Sequence, residues 1–266
     1  MSARIKLARA LLTLGEFIKT LPLVVMRPDD LIEFSRQSYA RSNKVASWAD
    51  TEFVDSGLTA DETALAAALP ETTGDLLLLG VGGGREAIPL AQMGFRVTGL
   101  DYVAAMVDSA VENAAAQGIH IDGLVQEISR LNVAPGAYDV VWLSRAMYSC
   151  VPTRARRVAT VRRIATALKH GGYFLCQFHW DPRAKASRRA RFARRLVAAC
   201  TLGNTAYEEG DLLWHDIEFI HAFTSEDAVR AEFEEGGLSV VRIVTDQGTL
   251  RGNAICRNAG NADGKA

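Results

Sequence analysis

The sequence predicts an α/β fold built on a mostly parallel sheet, and three observations predict it. Short apolar runs alternate with helical patterns from Asp75 to Phe178. A glycine-rich turn, Gly80-Val81-Gly82-Gly83-Gly84, directly follows the first run, and an acidic residue, Asp101, closes the second. Right-handed crossovers between such strands put helices on both faces of the sheet and gather ligands at its carboxyl edge.

Taken in order, Asp75–Leu79 is a buried strand and Arg85–Met93 a helix, followed by a strand at Arg96–Leu100. Val103–Gln117 is a helix ended by Gly118, and Leu124–Gln126 a strand. Tyr138–Leu143 is the fourth strand, Arg154–Leu168 a helix closed by Gly171-Gly172, and Tyr173–Phe178 the fifth strand. Ser225–Glu235 is a helix capped by Thr224 or Ser225, and Leu238–Thr245 and Gly252–Arg257 are two further strands. Residues 1–60 form a helical N-terminal cap over the mouth of the sheet. Residues 61–257 are the core, with a substrate-side insertion at about 181–221, and 258–266 a small, polar tail.

Composition narrows the function. The 266 residues are 48% hydrophobic and 23% charged, ordinary for a globular enzyme. Thirty Lys and Arg nearly cancel 31 Asp and Glu, so no global field recruits nucleic acid, and such partners are not favoured. Cys150, Cys176, Cys200 and Cys256 lie far apart without CxxC spacing. They read as reduced thiols of a cytoplasmic protein, with no metal site. Near the N-terminus, Leu7, Leu11, Leu14, Ile18 and Leu21 recur at helical spacing, while Glu16 and Lys19 break any signal-peptide run. That stripe is expected to pack on the core or on a second subunit of a homodimer, with peripheral membrane contact as the alternative. In the insertion, Arg183, Lys185, Arg188, Arg189, Arg191, Arg194 and Arg195 make a solvated basic face, and Phe192, Leu196 and Ala199 lie opposite.

The glycine turn alone does not choose its ligand. Gly80, Gly82 and Gly84 satisfy GxGxG, but Gly82-Gly83-Gly84-Arg85-Glu86-Ala87 also satisfies the GxGxxA of a dinucleotide site. Asp101 suits the ribose hydroxyls of either class.

Five ordered blocks decide it. These are Leu77–Glu86, Val97–Met106, Val125–Leu131, Tyr138–Ser144 and Ala167–Phe174. Together they resemble the class I S-adenosylmethionine-dependent methyltransferase family across roughly residues 74–257. The resemblance implies a Rossmann-like three-layer αβα sandwich with a seven-stranded sheet whose last strand is antiparallel. It also implies S-adenosylmethionine as cofactor and S-adenosylhomocysteine as product. The cofactor contacts it implies are Gly80, Val81, Gly82, Gly84, Asp101, Tyr102, Met106, Glu127, Ile128 and Ser144. Glu127 departs from the family's usual Asp, so its contact with adenine must absorb one methylene. Arg85 is expected to point outward, beside Glu86.

Alignment of the acceptor with an already activated methyl needs little side-chain chemistry, but a hydroxyl or thiol acceptor needs a base. His179, after the fifth strand, is the first candidate, with His215 and His221 behind it; Tyr148 joins His179 as a catalytic candidate. Tyr148, Trp180, Tyr39 and Trp48 are candidates to line an aromatic pocket. Ser144-Arg145-Ala146-Met147 stands where amine-directed relatives carry Asn/Asp-Pro-Pro-Tyr, and no Pro-Cys nucleophile is present. The expected acceptor is therefore a small molecule, anionic or lipid-like, accepting through O, N or S. Two alternatives stand beside this reading: a cofactor-binding regulatory or scaffold protein of the same fold, and a nicotinamide-dependent oxidoreductase.

Overall fold

The computed structural model describes residues 2–143, 145–184 and 188–260, without the side chains of Glu16 and Arg188. Among these residues six helices precede the first strand: α1 (Ala3–Lys19), α2 (Leu21–Val25), α3 (Pro28–Tyr39), α4 (Ser42–Ala49), α5 (Thr51–Asp55) and α6 (Ala60–Ala66). The alternating core follows as β1 (Gly74–Leu79), α7 (Ala87–Gln92), β2 (Phe95–Asp101), α8 (Ala104–Ala116), β3 (Asp122–Val125), β4 (Tyr138–Leu143), α9 (Arg154–Ala167) and β5 (Leu168–His179). Then come α10 (Arg188–Thr201), a hairpin of β6 (Asp211–Trp214) and β7 (Glu218–His221), α11 (Glu226–Glu235), β8 (Ser239–Asp246) and β9 (Arg251–Arg257).

Seven strands form one sheet in the order β3-β2-β1-β4-β5-β9-β8. The first five run parallel, and the last, β9, runs antiparallel to both β5 and β8. The reversal of strand order between β1 and β4 opens a crevice at their carboxyl ends, where ligands of such sheets bind.

Both faces of the central strands are covered, which is why they read as unbroken apolar runs rather than alternating ones. Leu77 and Leu79 pack with Val161, Ile164, Phe174 and Phe233 on one face. Leu76 and Leu78 pack with Leu90, Val97, Val107 and Ala114 on the other. The period-2 geometry of the strand divides the four leucines between two clusters.

The cap and the insertion hairpin meet over the sheet's carboxyl edge. Leu23 of α2 and Leu31 of α3 cluster with Phe219 of β7, and the Phe219 N–H donates to Ser35 Oγ at 3.1 Å. His215 and Asp216 turn the hairpin with φ of 49° and 58°, the left-handed geometry that fits the twist of tight hairpins. The hairpin was not predicted by the sequence pattern. Four-residue strands at the mouth of a cavity mix polar and apolar residues on both faces, so their periodicity is faint.

Candidate functional site

The glycine turn and the acidic strand end form one unit. Gly80 and Val81 N–H groups both donate to the Leu100 carbonyl at 2.8 Å. Asp101 accepts from Gly82 N–H at 3.2 Å and from Val103 N–H at 3.0 Å. Burial drives the Asp101 carboxyl up to about 6 despite these bonds. Of the turn glycines, Gly84 does not face the cavity. It has φ of +100°, and a Cβ there would lie 3.3 Å from Ala110 Cα, so it permits close packing on α8 instead of approaching a ligand.

A cavity of about 380 Å³ opens at this unit. Its glycine side is lined by Gly80, Val81, Gly82, Asp101, Tyr102 and Met106. Opposite stand Met147, Phe178, His179, Trp214, Glu218 and Ile220, with Tyr39 and Trp48 contributed by the cap. Past Asp101 the groove continues as a crevice of about 30 Å³ lined by Ile32, Tyr102, Glu127 and Ile128. There the Glu127 carboxylate accepts from Ser129 N–H at 2.8 Å and Ser129 Oγ at 2.5 Å, capping a single 3-10 turn. Ser144 lies outside the described residues.

The titratable groups in the chamber differ in state. Burial lowers the His179 pKa below its ordinary value, so the imidazole is neutral at pH 7. Its ring meets Trp214 edge-on at 5.4 Å between centroids. Glu218 is buried; Tyr39 OH donates to one oxygen at 2.9 Å and Cys150 Sγ to the other at 3.2 Å. Burial raises its pKa above the ordinary carboxylate value. Arg145 and Ala146 follow β4 with φ of 35° and 59°, a strained left-handed pair of the kind that marks functional sites. The Arg145 guanidinium rests on the rings of Trp48 and Phe53, 5.4 and 5.7 Å from their centroids.

Several expectations are corrected. Tyr148 is absent from the cavity. It is fully buried, stacked on Phe223, and its hydroxyl donates to Glu232 at 2.7 Å. Trp180 is likewise core, bridged to Phe223. His215 sits exposed at the hairpin turn, and His221 is turned away to Asp211, 2.8 Å from its Nδ1. Arg85 points inward. It is 3% exposed and pairs with Glu62 at 2.8 and 2.9 Å and with Glu86, and it also donates to the Gly57 carbonyl.

Glu218, Arg145 and Arg251 line the cavity and were missed in the sequence. The alternation Glu218-Phe219-Ile220, with only the outer two facing the cavity, was the available signal.

Residues 76–172 match a family described as a methyltransferase domain. A protein named ubiquinone biosynthesis O-methyltransferase, from Methylobacterium sp. (strain 4-46), is 31% identical over 174 residues, covering 64% of this chain and 63% of that one. Its namesake from Maricaulis maris is 27% identical over 171 residues, covering 62% and 59%. This chain therefore spans less than two thirds of the curated relatives it matches. Among solved structures, the CcbJ methyltransferase of Streptomyces caelestis superposes with a TM-score of 0.60 at 20% identity, over 81% of this chain and 96% of that one. A methyltransferase from Methanosarcina mazei gives 0.58 at 19% identity, over 76% and 98%. Residues 76–172 therefore carry a methyltransferase domain, and the fold around them is that of S-adenosylmethionine-dependent methyltransferases.

The residues present fit the methyltransferase cofactor. Asp101 is a buried carboxyl that, once ionised above about pH 6, has spare acceptor capacity for hydroxyl groups. Arg85 Nε is buried at the cavity wall with no hydrogen-bond partner among the described residues, although the two terminal nitrogens are paired. The cavity volume lies within the roughly 300–1,000 Å³ of small-molecule sites.

Proposed function

We propose that the protein transfers the methyl group of S-adenosylmethionine to a hydroxyl oxygen of a small, ring-bearing, lipid-like acceptor. The observation that carries this reading is a single chamber. The glycine turn and Asp101 lie on one side of it, and His179, Glu218 and Trp214 on the other. The names of the relatives, O-methyltransferases of ubiquinone biosynthesis, support oxygen as the accepting atom.

The cofactor, when bound, supplies a methyl group on a positively charged sulfur and so needs no further activation. Gly80, Val81, Gly82 and Asp101 hold it through backbone groups and the carboxylate, with Met106 and Ile128 offering apolar surface. Glu127, committed to Ser129, keeps lone pairs free for one further donor. Trp214, Phe178 and Ile220 pack the acceptor ring and exclude water. Neutral His179 takes the hydroxyl proton, and Glu218, fixed by Tyr39 and Cys150, orients the hydroxyl as an acceptor. Arg145 and Arg251 make that side of the cavity positive, suiting an acceptor that carries an acidic substituent.

Calorimetry with S-adenosylhomocysteine and with NAD tests the cofactor half: binding of NAD alone sinks the reading. Radiolabelled methyl transfer to phenols with and without an alkyl tail, against amine and thiol counterparts, tests the acceptor half. Labelled ethers are the expected product. S-adenosylhomocysteine binding without transfer to any of them would favour a regulatory role.

A further inference from the structure

The N-terminal helix and α10 expose apolar residues that a helix of a globular protein normally buries. In α10, Phe192 is 72% and Leu196 56% exposed, one turn apart, while the face turned to the protein carries the small Ala198. In α1, Leu7 and Leu11 are 61% and 59% exposed, and Leu14 and Ile18 continue the same stripe. Scattered exposed leucines need no explanation, but two neighbouring helices each presenting an apolar stripe to solvent do.

The two helices are joined at one place. Arg194 Nε of α10 donates to Thr20 Oγ1 at 3.3 Å, and Thr20 links α1 to α2. The turn after α10 presses on α2, with Asn204 N–H donating to the Val24 carbonyl at 2.8 Å. Beneath α2 lies the β6–β7 hairpin, whose Leu213 and Phe219 pack toward the cap while Trp214, Glu218 and Ile220 line the acceptor chamber. The exposed stripes therefore lie one layer outside the acceptor site.

Their charge is predominantly positive. Arg188–Thr201 contains five arginines and no acidic residue, and Ala3–Lys19 contains Arg4, Lys6, Arg9 and Lys19 against Glu16 alone. Arg189 and Arg195 are exposed and flank the Phe192–Leu196 stripe at helical spacing. A second copy of the chain, meeting this face about a two-fold axis, would set arginine against arginine, so self-association is opposed. A surface that accepts apolar side chains and is itself negative meets both requirements.

We infer that α1 and α10 form a docking face for an anionic phospholipid bilayer, lying in the plane of its surface. The apolar stripes enter the headgroup and acyl boundary by about 5–10 Å, and the basic residues meet lipid phosphates. Among the described residues no helix is long and apolar enough to cross a membrane, so the attachment is peripheral. The inference rests on the cap and the insertion alone, not on methyl transfer.

The test is flotation of the full chain with vesicles of phosphatidylcholine alone and with about 30% phosphatidylglycerol added. Partitioning onto the anionic vesicles is expected to be at least about tenfold stronger and to weaken as salt rises. Phe192→Ser with Leu196→Ser, and separately Leu11→Ser with Leu14→Ser, should each lower it about tenfold or more. Both pairs should leave S-adenosylhomocysteine affinity unchanged, since all four side chains are exposed and outside the cavity. Equal partitioning onto neutral vesicles, indifference to either double variant, or a dimer that the variants dissociate would each overturn the inference. Lost S-adenosylhomocysteine binding with intact partitioning would count against the transfer reading only.

Discussion

Asp101 accepts the backbone N–H of Gly82 at 3.2 Å, tying the end of β2 to the glycine turn after β1. The carboxylate is consequently buried, and its pKa rises to about 6 from 3.8. For a carboxyl whose folded pKa is raised, the associated stability is complete below 3.8 and lost as pH rises through 6. The ligand-free protein should lose up to about 3 kcal/mol on this account between pH 4 and 7, at about 1.4 kcal/mol per unit. Urea denaturation of Asp101→Asn should lack that component. S-adenosylhomocysteine affinity should follow the opposite course, rising with pH through 6 as the carboxylate ionises. It should fall by about 1–3 kcal/mol in Asp101→Ala. An Ala variant with wild-type affinity would remove Asp101 from the site.

Arg85 holds the cap to the glycine turn. Its two terminal nitrogens pair with Glu62 at the start of α6, one of them also reaching the Gly57 carbonyl, and the Arg85, Glu62 and Glu86 side chains are all buried. Burial pulls the Glu62 pKa upward most strongly, but the bonds from Arg85 and Thr59 outweigh it and leave it lowered. Arg85→Met removes the charged partner of buried Glu62 and should cost about 3–5 kcal/mol. Adding Glu62→Gln to it should recover part of the loss. A single variant within about 0.5 kcal/mol of wild type would show that the cluster is not the anchor.

These two sites show what the sequence could and could not convey. The parallel strands were legible because burial on both faces leaves continuous apolar runs such as Leu76–Leu79. Asp101 was legible because chain connectivity puts the second strand end beside the first turn. Arg85 was misread because its neighbour Glu86 suggested a solvated helix start, whereas its main partner, Glu62, lies 23 residues away. Phe192 and Leu196 show a related limit: periodicity shows that α10 has two faces but not which one is covered.

Tyr148 is a structural residue, and a mild variant separates that role from catalysis. Its hydroxyl donates to Glu232, which Arg157 also holds at 2.8 and 2.9 Å. Tyr148→Phe therefore leaves no carboxylate unpaired and should cost about 0.5–1.5 kcal/mol in chemical denaturation. Its kcat should equal that of the wild type. A fall in kcat with unchanged stability would return Tyr148 to the reaction.

His179 and Glu218 can be separated by pH. Burial lowers the His179 pKa from 6.5, so the neutral base is lost only as pH falls below that value. The rate of transfer to a phenolic acceptor should rise with pH on an acidic limb below 6.5 and be flat above it. His179→Ala should abolish that limb and lower kcat by about 10²-fold or more, with S-adenosylhomocysteine affinity unchanged. Glu218→Gln keeps the size of the side chain and its contact with Tyr39, so it should act mainly on KM, through the orientation of the acceptor hydroxyl. If the limb instead survives in His179→Ala and disappears in Glu218→Gln, the proton acceptor is Glu218. Burial raises the Glu218 pKa as well, so only the pair of variants distinguishes the two groups.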